Sequence, residues 1–114
     1  MLTVTDAITL AHLTRLAEGR FGGLVKAVVD VGRGLMVVDA DMHADEEAIL
    51  LEDGSQQADL WGVNLYPDRF GTPEFIEYDS MINIRPSQGN RSRSVDDPAA
   101  RTAVEAVVAR LVRP

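Results

Sequence analysis

There is no cysteine anywhere in the 114 residues. That excludes disulfides, thiolate metal ligands and a cysteine nucleophile, and removes any argument for an oxidising compartment. Histidine is nearly as scarce, with His12 and His43 the only two. Serine hydrolysis would have to be built on one of them without a G-x-S-x-G elbow, and the H-E-x-x-H zinc signature is missing. No apolar run approaches the roughly 18 residues that span a bilayer. The N-terminus MLTVTDAITLAHL lacks the positive segment that opens a secretory signal, so the chain is expected to be cytoplasmic and not to engage a membrane. Lysine occurs once, at Lys26, and the net charge is -7. Such a chain is a poor partner for nucleic acid, whose phosphates must be neutralised by cationic side chains.

What is present belongs to an ordinary globular protein. With 46% hydrophobic and 25% charged residues, residues 1–114 are expected to form a single domain. The acidity is local: from Asp39 to Asp59 there are eight carboxylates and no Lys or Arg, while the other 93 residues carry 10 acids against 11 bases.

The pattern predicts an α+β fold in the order α-β-β-α-β-β-α, with one four-stranded sheet, mostly antiparallel or mixed if the Asp41 to Leu60 connection crosses over between parallel strands, and helices on one face. The first helix would be capped by Thr3 or Thr5, carry Ile8, Leu10, Leu13, Leu16 and Ala17 on one stripe, and end at a left-handed Gly19. His12 reads as a surface or boundary residue. Val31-Gly32-Arg33-Gly34 suits a two-residue type II′ hairpin loop. Its register sets Val29 opposite Met36, Ala27 opposite Val38, Val25 opposite Ala40 and Lys26 opposite Asp39.

Residues 43 to 53 read as a short helix, capped by Asp41 or Asp45 and burying some of Ala44, Ala48, Ile49 and Leu51, although an extended strand would also accommodate Ala48 to Leu51. Two alternating strands follow, Leu60 to Tyr66 and Phe75 to Arg85, joined by a long loop over DRFGTP. The helix-bearing face of the sheet is expected to carry Val25, Val29, Val38, Trp61, Ile82 and Ile84. Asp97 as cap and Pro98 as first residue announce the last helix. There Val104, Val107, Val108 and Leu111 form the apolar stripe, and Arg101 pairs with Glu105 four residues on.

Two constellations could carry chemistry. Asp39, Asp41, His43 and Asp45 are spaced by two, so a continued strand would point all four to one face, a set suited to a divalent cation. The EF-hand pattern does not fit, because Ala44 and Leu50 stand where its Gly and Glu belong. On the plainer reading the acids are a helix start and solvated surface. The second constellation is the loop Arg85 to Arg93, where Arg85, Asn90, Arg91 and Arg93 could hold a phosphate or carboxylate, although the P-loop spacing is absent. Alternatively these arginines fold back on the acidic patch and neutralise it. Trp61 and Tyr66 could stack bases, but Trp61 falls on the apolar face and reads as core.

The stretches MHADEEAILLEDGS, LWGVNLYP and YDSMINIRPSQGNRSR together resemble a family of small bacterial proteins known only as a domain of unknown function. The resemblance covers most of the chain and implies no activity, cofactor or site residue. Two classes of function follow from the residues themselves. The first is a small non-enzymatic binding or regulatory module whose acidic face engages a basic protein, with a homodimer as a further expectation. The second is a metal-dependent hydrolase or a nucleotide- or phosphate-binding enzyme, using Asp39, Asp41 and His43 with the Arg85 to Arg93 loop. The first is preferred, and with it no resident cofactor.

Overall fold

The computed structural model describes residues 1–114. Its elements are β1 (Leu2–Val4), β2 (Ile8–Thr9), α1 (Leu10–Glu18), β3 (Val25–Asp30), β4 (Leu35–Val38), α2 (His43–Glu52), β5 (Leu60–Leu65), β6 (Ile76–Glu77), α3 (Pro98–Leu111) and β7 (Val112–Arg113). The fold is α+β. Five strands in the order β1-β4-β3-β5-β6 form an antiparallel sheet, and β2 and β7 form a small parallel pair.

The hairpin register agrees with the expectation: Val29 faces Met36 and Ala27 faces Val38. Its loop does not. The last ladder pair is Asp30 with Leu35, the left-handed residue is Gly34 (φ 72°) rather than Gly32, and Gly34 N–H donates to the Asp30 carbonyl at 2.9 Å. Asp30 organises the turn, its Oδ1 accepting from the N–H groups of Gly32 (2.9 Å) and Arg33 (3.0 Å) while Oδ2 accepts from Ser55 (2.6 Å). Three such bonds let a carboxylate be wholly buried. Beyond Val38 the expected Val25 and Ala40 pair does not form. Asp39, the only non-glycine residue with positive φ (71°), turns the chain out of the ladder.

Three other expectations are corrected. Leu2–Val4 is not the approach to a helix: these residues add a fifth strand to the edge of β4. The helix starts later, at Leu10, with the Thr9 hydroxyl accepting from His12 N–H at 3.1 Å, and Gly19 ends it in a right-handed conformation. The span Phe75 to Arg85 is a strand only over Ile76–Glu77. Past Tyr78 its place beside β5 is taken by one side chain. Asn83, fully buried, accepts from Gly62 N–H and donates to the Gly62 carbonyl, both at 2.9 Å, as a neighbouring strand would. Gly62 must lack a side chain there, because a Cβ would lie 2.5 Å from the Ser80 hydroxyl.

Helices cover both faces of the sheet, not one. Val25, Ala27, Val29, Met36, Val38, Trp61, Val63 and Leu65 pack with Leu13 and Ala17 of α1 and with Val104, Val107, Val108 and Leu111 of α3. The other face carries Val28, Leu35, Val37 and Leu60 against Leu50 of α2, with Ile82 alongside. Ile82 therefore lies on the face opposite Trp61, and Ile84 is exposed. At α3 the pattern held: Asp97 accepts from Ala99 N–H at 3.0 Å, and all four residues of its stripe are buried.

Candidate functional site

The acidic stretch becomes a left-handed turn followed by α2, and the turn decides how the helix sits. Leaving the ladder at Asp39 deprives Ala40 N–H of a strand partner, and the Glu46 carboxyl reaches back to accept it at 3.0 Å. Glu46 is thereby drawn inward until it is fully buried, with Oε1 lacking any partner. Burial, only partly offset by that bond, pushes its pKa from 4.5 up to about 9, so the carboxyl is neutral at pH 7. His43 and Leu50 share the inward stripe with it. His43 Nε2 donates to the Val63 carbonyl at 2.8 Å, which fixes the tautomer; burial lowers the imidazole pKa against that bond, and Lys26 lowers it further.

The expected inward set, Ala44, Ala48, Ile49 and Leu51, is turned out instead. Ala44 and Ala48 are exposed, and Ile49 and Leu51 retain 36% and 40% exposure. Between them stand Asp45, Glu52 and Asp53, also exposed. Neither Asp41 nor Asp45 caps the helix; Met42 occupies that place and provides no side-chain bond. Ile49 is shared by two concavities flanking the helix. One, of about 510 Å³, also involves Met1, Arg20, Asp41, Asp45 and Ala48; the other, of about 300 Å³, involves Thr3, Glu52 and Asp53.

Because the strand does not continue, Asp39, Asp41, His43 and Asp45 do not share a face. Arg20 claims the first two, with Nε on Asp39 at 2.9 Å, Nη2 on the Asp39 carbonyl at 2.6 Å and Nη1 on Asp41. Asp45 projects to solvent while His43 is buried. No three His, Asp or Glu side chains are gathered so as to hold a metal ion.

The arginine loop is committed to structure. Arg85 stacks 4.3 Å over the Trp61 ring and donates to the carbonyls of Gln57 and, at 2.7 Å, Leu60; burial lowers its pKa. The buried Asn90 amide donates to the carbonyls of Asn83, Ser92 and Ser94 at 2.7 to 3.1 Å and accepts from Asp96 N–H. Arg93 pairs with Asp79 at 2.6 Å, and only Arg91 stands in solvent without a bond. The acidic stretch is neutralised from elsewhere, by Arg20 and by Arg33, which bonds Asp53 at 2.7 Å and Ser55 at 2.8 Å. The two constellations meet at one place: Asp41, His43 and Arg93 line a cavity of about 300 Å³ with Lys26, Asn64 and Asp79.

One family, described as Protein of unknown function (DUF5674), matches residues 2–111, nearly the whole of this chain. The chain belongs to the DUF5674 family. No curated protein and no solved structure matches this DUF5674 chain. None of its helices is long and apolar enough to cross a membrane.

Sequence reasoning missed two features. The outward face of α2 could not be read from periodicity, because the inward pull on Glu46 comes from a backbone N–H orphaned by the turn before it. Asn83 falls within the strand expected over Phe75 to Arg85, whereas its amide is the partner of Gly62.

Proposed function

We propose that the protein is a non-enzymatic binding module whose α2 face receives a basic, partly apolar segment of a partner protein. One observation carries this reading: α2 turns Ala44, Ala48, Ile49 and Leu51 to solvent among Asp45, Glu52 and the Arg33-paired Asp53, with no Lys or Arg on the helix. A helix stabilised only by its own core would bury those side chains, and apolar residues ringed by like charges mark an interaction surface. The concavities on either side of Ile49 offer recesses for a partner's apolar side chains. Exposed carboxylates contribute orientation and association rate. The test is a titration of isotope-labelled protein with a helical Leu/Lys peptide, followed by amide chemical shifts. Saturable shifts confined to residues 44–53 and the flanking Met1 and Thr3 support the proposal; shifts spread over all acidic surfaces overturn it.

A second reading, an enzyme acting on a phosphate-bearing substrate with a divalent cation, has one observation in its favour, the meeting of Asp41, His43 and Arg93 at one cavity. Against it stand the prior engagement of Asp41 by Arg20 and of Arg93 by Asp79. On this reading Mn²⁺ raises the melting temperature beyond matched NaCl, and Asp41→Asn abolishes the difference. Coincident curves exclude it.

A further inference from the structure

On the side of the sheet away from α2, residues of the segment between β5 and β6 and residues of α3 together line a half-open cavity of about 620 Å³. Its walls are apolar, formed chiefly by Phe70, Phe75, Ile76, Val108 and Val112, with Phe70 set edge-on to Phe75 at 5.1 Å. Four polar side chains line it: Thr72, whose hydroxyl is bonded within its own loop, and Tyr78, Arg101 and Glu105.

Arg101 and Glu105 stand one turn apart on α3, where an intrahelical ion pair was expected, yet no N···O approach within 4.0 Å joins them. Tyr78 takes up both. Its ring lies under the Arg101 guanidinium at 4.3 Å from the centroid, and its hydroxyl donates to Glu105 Oε1 at 3.1 Å. Burial and the Glu105 bond raise the phenol pKa, so it stays a donor at neutral pH. Two bonds of 2.7 Å, from Nε to the Val95 carbonyl and from Nη2 to the Ser94 hydroxyl, hold the guanidinium in place. Five N–H groups less these two leave three free, and no carboxylate serves them. Glu105 is exposed, and its Oε2 makes no hydrogen bond within the protein.

We infer that this cavity binds a free α-amino acid with a large apolar side chain, its carboxylate on Arg101, its ammonium on Glu105 and its side chain against Phe70, Phe75 and Val108. Opposite charges fixed apart from each other at one end of an apolar chamber match a zwitterion with an apolar body. A ligand carrying either charge alone engages only one of the two groups and forgoes the charge-assisted hydrogen bonds that the other would add. A cavity of this size also falls within the range of small-ligand pockets. The site stands apart from α2, so its failure leaves the partner-binding reading untouched.

The probes are L-phenylalanine, 3-phenylpropionate, phenethylamine and glycine, added to the isotope-labelled full chain. L-phenylalanine is expected to give saturable shifts at Tyr78, Arg101 and Glu105, with 3-phenylpropionate and phenethylamine each at least about tenfold weaker and glycine inert. Glu105→Gln, at an exposed position, is expected to bring L-phenylalanine down to the level of 3-phenylpropionate. Absence of saturable shifts with L-phenylalanine overturns the inference. So does equal binding of the single-charge analogues, or a Glu105→Gln variant that folds and binds like the wild type.

Discussion

Replacing Glu46 by Gln tests the physical account of α2 through the pH dependence of stability. In the folded chain Glu46 is fully buried and its pKa rises from 4.5 to about 9, whereas in the unfolded chain it returns to the ordinary value. Between those values the folded state holds a proton that the unfolded state releases. Stability conferred by the neutral carboxyl is therefore fully present below pH 4.5 and is lost as pH rises towards about 9. His43 has the opposite sign: its pKa is lowered from 6.5 in the fold, so its contribution increases with pH up to that value and is constant above it. The window above pH 7 thus isolates Glu46. One proton per pH unit is about 1.4 kcal/mol, so between about pH 7 and about pH 8.5 the wild type should lose roughly 2 kcal/mol. Gln keeps the acceptor for Ala40 N–H and does not titrate, so Glu46→Gln should show no such loss. Urea denaturation of both proteins at the two pH values measures it. Parallel slopes would refute the burial of an uncharged Glu46 and, with it, the inward phase assigned to α2.

Asn83→Ala leaves the N–H and carbonyl of Gly62 unpaired in the interior and should cost about 2 to 4 kcal/mol by urea denaturation. Val29→Ala, at a fully buried position, should cost roughly 1.5 to 3 kcal/mol, and Ile82→Ala, only half-buried, less. Arg93→Ala breaks a partly exposed ion pair with Asp79 and should cost no more than about 1 kcal/mol; a larger loss would show that the loop leans on that pair.

Where local signals governed the outcome, the sequence was legible. Asp97 and Pro98 start α3, and its valine stripe is buried, because cap, first-turn proline and apolar period all act within the helix itself. The hairpin register was readable for the same reason, even though its loop was misread: a four-residue turn closed by Asp30 and Gly34 leaves the same strand residues opposite one another. Legibility failed where a distant group decided. The alternation of Ile76, Tyr78, Ile82 and Ile84 imitates a strand, but Asn83 and the close approach of Ser80 to Gly62 fold the segment into short turns. Similarly, the spacing of Asp39, Asp41 and His43 implied a shared face only while the strand continued, and a left-handed Asp39 held by Arg20 ends it. Resemblance to a family of unknown function was also correct, and it extends over nearly the whole chain.

The central claim is that the apolar residues on the outside of α2 serve a partner and not the fold. The direct measurement is a comparison of wild type with Ile49→Ser/Leu51→Ser, a change that leaves the net charge at -7. Each protein is titrated with the Leu/Lys peptide and unfolded in urea. The account predicts peptide binding at least about tenfold weaker, a difference of 1.4 kcal/mol or more, with stability altered by no more than about 1 kcal/mol. Unchanged binding, or a loss of stability as large as that of a core substitution, would contradict it.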